Sequence, residues 1–134
     1  MNTKVLGRIG ELNAIETFLS YNIPVYEPTI DVYEVDFIAE INGEFKKFQV
    51  KTTQNIKDGK MSFDFRKTIK NGHKQYENID YYIIYCIENS YLGILDFKST
   101  GDYISIRFVK PKNNQVKGIN WHQDYELNKY LKSL

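Results

Sequence analysis

Apolar and polar residues alternate on both sides of Asn42-Gly43, and this is the strongest structural signal in the chain. Asn-Gly favours a two-residue type I′ turn because both turn positions need a positive φ. Residues 35–53 therefore predict two antiparallel strands whose register is fixed by the turn. The predicted pairs are Ile41 with Glu44, Phe37 with Phe48, Val35 with Val50 and Asp36 with Gln49.

Helical periodicity marks the N-terminal segment, where residues 3–21 predict an amphipathic helix capped by Thr3. Glu11 lies at the edge of the apolar stripe. Gly7 and Gly10 remove side-chain bulk one turn before Glu11, so we expect another element to pack closely there. The predicted stripe consists of Val5, Leu6, Ile9, Leu12, Ile15 and Leu19.

Shorter apolar runs predict further strands at residues 25–26, 61–65, 81–87, 91–97 and 103–109. The first lies in a proline-containing connection, residues 22–34, and the run at 81–87 fits a strand buried on both faces. Residues 66–78 are polar and basic, and we expect a loop with a short helix ending near Tyr76. A helix from about residue 121 closes the chain. This order predicts an α/β domain with a mixed central β-sheet flanked by helices.

The composition limits the class of protein. A chain of 134 residues with 42% hydrophobic residues can bury a real core, so we expect residues 1–134 to form a single domain. The longest apolar run is too short to span a bilayer, and the N-terminus lacks a signal-peptide core. We therefore expect a cytoplasmic protein without a membrane partner. Cys86 is the only cysteine, which excludes a disulfide framework or a zinc-cysteine site.

Charge is distributed unevenly along the chain, although the net charge is only +1. Residues 1–44 contain two Lys or Arg and eight Asp or Glu, whereas residues 45–75 contain nine Lys or Arg and two Asp. A cationic segment of this kind is typical of a surface that contacts a phosphate backbone, although charge runs are usually only solvated faces.

Three polar residues of the predicted hairpin share one face. Asp36 lies opposite Gln49, and Lys51 follows Gln49 by two residues, about 6.6 to 6.8 Å along the strand. Two side-chain oxygens on directly opposed residues can share a cation. On the hairpin alone, an ordinary solvated strand face explains the same residues.

Three segments together resemble the core signature of the PD-(D/E)XK nuclease superfamily. They are Gly-Arg-Ile-Gly-Glu-Leu-Asn-Ala-Ile-Glu-Thr-Phe-Leu at residues 7–19, Val-Asp-Phe-Ile-Ala at 35–39 and Phe-Gln-Val-Lys-Thr-Thr at 48–53. The closest resemblance is to the endonucleases of that superfamily encoded in group I introns, and it implies a restriction-endonuclease-like fold. Gln49 stands where the wider superfamily usually has Asp or Glu, and the adjacent Pro-Asp of the superfamily name is absent.

The resemblance implies a metal-dependent endodeoxyribonuclease acting on double-stranded DNA, of the site-specific homing type. It assigns Glu11, Asp36, Gln49 and Lys51 to the active site. Mg²⁺, with Mn²⁺ as a substitute, would be held by Asp36, the Gln49 amide oxygen, the Val50 carbonyl and Glu11. Lys51 would orient or deprotonate the attacking water.

Two alternatives stay open: a Holliday junction resolvase-like nuclease, and a non-catalytic DNA-binding module. The residues expected to contact DNA are Lys47, Thr53, Arg66, Lys67, Asn113, Asn114 and Gln115. A double-strand break needs two hydrolyses, so we expect a homo-oligomer, either a dimer or a tetramer. The predicted interface is the C-terminal helix, with Trp121, Tyr125, Leu127, Tyr130, Leu131 and Leu134.

Overall fold

A computed structural model describes residues 1–30 and 34–134; residues 31–33, within the predicted connection, lie outside the described residues. The helices are α1 (Thr3–Ser20) and α2 (Leu127–Lys132). The first strands are β1 (Val25–Tyr26), β2 (Phe37–Ile41), β3 (Glu44–Thr53), β4 (Lys60–Asp64) and β5 (Arg66–Ile69). The others are β6 (Gly72–Gln75), β7 (Tyr81–Cys86), β8 (Tyr91–Asp96), β9 (Tyr103–Arg107) and β10 (Asn120–Trp121).

A five-stranded mixed sheet forms the centre, in the order β1-β2-β3-β7-β8. The β3 and β7 strands run parallel, and the other pairs are antiparallel. The predicted hairpin register is confirmed from the Ile41–Glu44 pair to the Phe37–Phe48 pair. Asn42 has φ 51° and Gly43 has φ 81°, as a type I′ turn requires. The predicted mixed sheet is therefore confirmed.

Hydrophobic side chains cover both faces of this sheet. On one face, α1 and α2 pack over β2, β3 and β7, with Phe18 edge-on to Phe37 and Phe48 at ring distances of 5.4 and 5.0 Å. On the other face, a three-stranded sheet in the order β10-β9-β4 packs on β7 and β8. Five of the six β7 residues are buried, which confirms a strand covered on both faces.

The buried side of α1 differs from the predicted stripe. Its buried residues are Gly10, Ala14 and Phe18, whereas Val5, Leu12 and Leu19 are exposed. The prediction was wrong because small residues let the helix approach the sheet closely, and side-chain hydrophobicity alone does not reveal that approach. The helix is also capped one residue earlier than expected, since Asn2 Oδ1 accepts a hydrogen bond of 2.8 Å from Lys4 N.

Two other predicted segments are wrong. Residues 66–75 form the β5–β6 hairpin, within the segment 66–78 where a loop and a short helix were expected. The C-terminal segment forms β10 and a 3₁₀ turn at His122–Asp124 before α2, which has only six residues. Of the six residues predicted to form an interface, Leu127 and Leu131 are buried in the core of their own chain, whereas Leu134 is exposed and the other three are half-buried. A role of this segment in an interface stays a prediction. No helix among the described residues is long and apolar enough to cross a membrane.

Candidate active site

Asp36 lies at the point where β2 separates from β3. Its N–H donates to Phe48 O at 2.8 Å, and its Oδ2 accepts a 2.7 Å hydrogen bond from the N–H of Val50. The carboxylate thus takes the place of a main-chain acceptor on β2. The predicted Asp36–Gln49 and Val35–Val50 pairs are absent from the β2–β3 ladder for this reason. Asp36 is nevertheless tied to the residue between Gln49 and Lys51.

Gln49 is the only buried polar side chain among the described residues, with 7% of its surface exposed. Its Nε2 donates to Glu34 O at 3.2 Å. Its Oε1 is buried, and no described residue donates a hydrogen bond to it. A buried acceptor without a donor is costly in a folded protein, so this oxygen is a candidate ligand for a cation.

Lys51 lies two residues further along β3 and contacts the segment that follows β6. Its Nζ donates to the Tyr76 hydroxyl at 2.8 Å and lies 4.7 Å from the centre of the ring. Tyr76 in turn packs edge-on against Tyr82 of β7, with ring centres 6.5 Å apart. The lysine ammonium is therefore held by a ring that the core supports.

Glu11 reaches the site because α1 approaches β3 closely at Gly10. A Cβ at Gly10 would lie 1.9 Å from Thr52 Oγ1, so only glycine fits there. The expected close packing is confirmed at Gly10, whereas a Cβ at Gly7 would meet nothing within 4 Å. Glycine at position 10 thus brings the helix, and with it Glu11, close to the part of β3 that follows Gln49.

A pocket of about 490 Å³ brings the two predicted carboxylates together, with Glu11 and Asp36 among its lining residues. Glu27 lines the same pocket. Arg8 Nη1 lies between the two glutamates, 2.7 Å from Glu27 Oε2 and 3.0 Å from Glu11 Oε1. The hydrogen bonds to Glu27 and Glu11 raise the pKa of Arg8. Three carboxylates and two cations, Lys4 and Arg8, therefore line the pocket, whereas Gln49 and Lys51 are not among its lining residues.

Glu34 anchors the segment that leads to Asp36. Its carboxylate accepts hydrogen bonds from Lys67 Nζ at 2.9 Å and from Glu77 N at 2.8 Å. Burial alone would raise its pKa, but these two donors lower the pKa of Glu34 below its usual value. Since the carbonyl of Glu34 also holds Gln49, this residue joins the β5–β6 region to the centre of the site.

The residues predicted to contact DNA are spread over three regions. Lys67 is paired with Glu34, and Arg66 with Asp64 at 3.0 Å, so both cations already have a carboxylate partner. Lys47 and Thr53 lie at half-buried positions on β3. Asn113, Asn114 and Gln115 lie in an exposed loop, as expected. Their contact with DNA stays a prediction.

Sequence reasoning missed four residues of this site: Arg8, Glu27, Glu34 and Tyr76. Glu27 and Glu34 lie in the connection after α1, and Tyr76 lies in the segment expected to end a short helix. Arg8 lies inside the first motif segment but was given no role there, and no periodicity or motif marks the other three. Each meets its partner across at least 15 residues of sequence, apart from the local Arg8–Glu11 pair.

The donor atoms suit a hard divalent cation. Carboxylate and amide oxygens are the side-chain ligands that Mg²⁺ prefers, and Glu11, Asp36 and Gln49 supply them. Within residues 1–30 and 34–134, no group of three His, Cys, Asp or Glu side chains could hold a metal ion. A complete ligand set would therefore need the Gln49 oxygen or main-chain oxygens in addition to the carboxylates.

Comparisons with known proteins identify the family and the fold. Residues 1–128 match the family described as PD-(D/E)XK endonuclease. No curated protein sequence matches the chain. Among solved structures, the bacterial homing endonuclease I-Ssp6803I is similar, with a TM-score of 0.76 and 24% sequence identity over 98% of this chain and 93% of that chain. The predicted restriction-endonuclease-like fold is confirmed, and the chain belongs to the PD-(D/E)XK endonuclease family.

Proposed function

We propose that this endonuclease hydrolyses phosphodiester bonds of double-stranded DNA in a divalent-metal-dependent reaction and is of the site-specific homing type. The observation that carries the proposal is the hydrogen bond from Val50 N to Asp36 Oδ2, because it ties the carboxylate to the strand between Gln49 and Lys51. The homing type is supported by the similarity in fold to a bacterial homing endonuclease.

The side chains of the candidate site would have two roles, metal binding and activation of water. Asp36 and Glu11 with the Gln49 oxygen and the Val50 carbonyl would hold Mg²⁺, or Mn²⁺ in its place. A bound divalent cation supplies Lewis-acid stabilisation of the developing phosphate charge and lowers the pKa of bound water. Lys51, held by Tyr76, would orient the attacking water and offset negative charge in the transition state.

We further propose a single domain over residues 1–134, a cytoplasmic location and a homo-oligomeric state, either a dimer or a tetramer. Two copies would supply the two sites that a double-strand break needs. DNA would be contacted by the exposed loop at residues 113–115, by Lys47 and Thr53 of β3, and by Arg66 and Lys67 of β5.

The decisive variant is Lys51→Ala, with Lys46→Ala as its control. Lys46 lies on the same strand but pairs with Glu44 at 2.7 Å, away from the site. We expect Lys51→Ala to cut DNA about 100 to 10,000 times more slowly than wild type, at unchanged DNA affinity, and Lys46→Ala to cut normally. The substrate is a supercoiled plasmid library with genomic inserts, and the readouts are nicked and linear DNA and the sequenced ends.

Metal removal tests the same proposal. EDTA should stop cleavage, Mg²⁺ or Mn²⁺ should restore it, and Ca²⁺ should support binding without turnover. Cleavage by Lys51→Ala at the wild-type rate, or rapid cleavage in EDTA, would refute the assigned site. A synthetic four-way junction in the same assay separates the alternatives: cutting of the junction alone indicates a resolvase, and binding without cutting in every metal indicates a non-catalytic module.

A further inference from the structure

Helix α1 has a second apolar side, directly opposite the sheet. Val5, Leu12 and Leu19 are 51%, 49% and 54% exposed, although their side chains are apolar. Successive helical residues are turned by about 100°, so a spacing of seven residues places all three within about 20° of Leu12. Gly10 and Ala14, which face the core, lie on the far side. An exposed apolar row at seven-residue spacing runs along one line of the helix, so a second helix lying along that line can cover all three side chains.

We propose that this row packs against the same row of a second copy, with the two α1 helices antiparallel across a two-fold axis at Leu12. The row is symmetric about its centre. In an antiparallel pair centred on Leu12, Val5 faces Leu19 of the partner subunit, and Leu12 faces the partner's Leu12. Such a contact is isologous and closes on itself, so it produces a dimer and not a filament.

Charges beside the row favour the antiparallel direction. Arg8 and Glu16 lie four residues before and after Leu12, so the same symmetry brings Arg8 beside the partner's Glu16. Arg8 also pairs with Glu11 and Glu27 of its own chain through one guanidinium nitrogen, Nη1. Within the described part of its own chain, Glu16 is exposed and takes part in no ion pair. A parallel pair would instead place Arg8 beside the partner's Arg8 and Glu16 beside the partner's Glu16, and like charges at such positions are unfavourable.

The pairing would also place the two candidate active sites on one side of the dimer. Glu11 precedes Leu12 and lies about 100° around the helix from it, on the flank that borders the pocket it shares with Asp36. A two-fold axis perpendicular to both helices keeps the two Glu11 residues on the same side of the pair. One DNA duplex lying across that side would meet both sites; this consequence rests on the proposed function, whereas the pairing itself does not.

The contact is small for a stable dimer. Three side chains per copy fall well short of the roughly 800 Å² per partner that a standard interface buries. We therefore expect association in the micromolar range for the free protein, with the α1 row at the centre of the contact. Covalent trapping is the appropriate measurement for such an equilibrium.

The test uses single-cysteine variants under mild oxidation, without DNA. Leu12→Cys should form a disulfide-linked dimer, because the two Cα atoms on the axis lie within disulfide range when helices pack 8 to 10 Å apart. Val5→Cys and Leu19→Cys should each stay monomeric alone and link to each other when mixed. Native Cys86 is fully buried, so it should not form cross-links itself. Ser99→Cys, in the exposed turn after β8, is the control for random collisions.

We expect Leu12→Cys to cross-link at least about tenfold faster than Ser99→Cys. In sedimentation, Leu12→Lys should shift the wild-type mass to that of one 15.8 kDa chain, with an unchanged circular dichroism spectrum. Cross-linking of Val5→Cys or Leu19→Cys alone would overturn the antiparallel register. Equal rates for Leu12→Cys and Ser99→Cys would overturn the α1 contact, even if the protein proves to be an endonuclease.

Discussion

The β2–β3 and β5–β6 hairpins both contain Asn-Gly, but they use it differently. In the first, Asn42 and Gly43 are the two turn residues, with φ of 51° and 81°. In the second, Ile69 pairs with Gly72, so Asn71 is the second turn residue and Gly72, with φ 129°, begins β6. The same dipeptide therefore occupies different positions in the two turns.

The two hairpins are also held by different forces. Strand β2 buries alternate side chains, and the Phe37 ring stacks on the Phe48 ring of β3 at 4.9 Å in the core. Strands β5 and β6 have no buried residue. Polar contacts hold this hairpin instead, among them the pair of Lys67 with Glu34 and a 3.2 Å hydrogen bond from Gln75 Nε2 to Asp102. A buried alternating pattern can be recognised in a sequence, whereas a set of exposed ion pairs cannot.

The largest expected effect comes from emptying the core under the first hairpin. Phe48→Ala removes a fully buried ring, and we expect it to lower the free energy of unfolding by about 3 to 5 kcal/mol. Ile69→Ala, on the exposed second hairpin, should change it by less than about 0.5 kcal/mol. Urea denaturation of both variants measures the difference. Comparable losses for the two variants would contradict the contrast between the hairpins.

A smaller effect is expected where the second hairpin reaches the candidate site. Tyr76→Phe removes the hydroxyl that accepts the Lys51 hydrogen bond and keeps the ring against Tyr82. A hydrogen bond to a charged group contributes about 1.5 to 3 kcal/mol, so we expect kcat for DNA cleavage to fall about 10- to 100-fold at unchanged DNA affinity.

Tyr26→Phe is the matched control for that variant. Its hydroxyl contacts Glu40 at 3.3 Å on the first hairpin, away from Lys51, so cleavage should stay at the wild-type rate. Lys51→Ala with and without Tyr76→Phe should cleave equally slowly, because Tyr76 acts through the lysine. An additional loss in the double variant would mean that Tyr76 has another role.

The smallest effect concerns the junction between β4 and β5, where Arg66 binds Asp64. The hydrogen bond from the Arg66 side chain, followed by that from its main-chain N–H, lowers the pKa of Asp64 to about 2. A lowered folded-state pKa means that the ionised carboxylate stabilises the fold at neutral pH, and that this contribution is lost as pH falls from about 4 towards 2.

We expect Asp64→Asn to lower Tm by at most about 3 °C at pH 7, since the pair is exposed, and the difference from wild type to vanish near pH 2. Thermal unfolding followed by circular dichroism over this pH range measures it. A difference in Tm that grows as the pH falls would contradict the assignment.

The sequence by itself determined the elements in which one residue pattern has one structural solution. Period-two alternation around Asn42-Gly43 specified the β2–β3 register, because a slip by one residue would expose every core side chain. Most other strands end within two residues of their predicted limits, because turn residues bound the apolar runs. The motif residues Glu11, Asp36, Gln49 and Lys51 were also named from the sequence, although their placement in the active site stays a prediction.

Only the tertiary structure decided which side of α1 is buried and which partners surround the motif residues. Gly10 faces the sheet because Thr52 leaves room for nothing larger, and that neighbour lies 42 positions away in the chain. Tyr76 meets Lys51, and Arg8 meets Glu27, across 25 and 19 residues. Contacts between residues so far apart in the sequence depend on how the layers pack. The residue pattern of a single helix or strand therefore does not predict them.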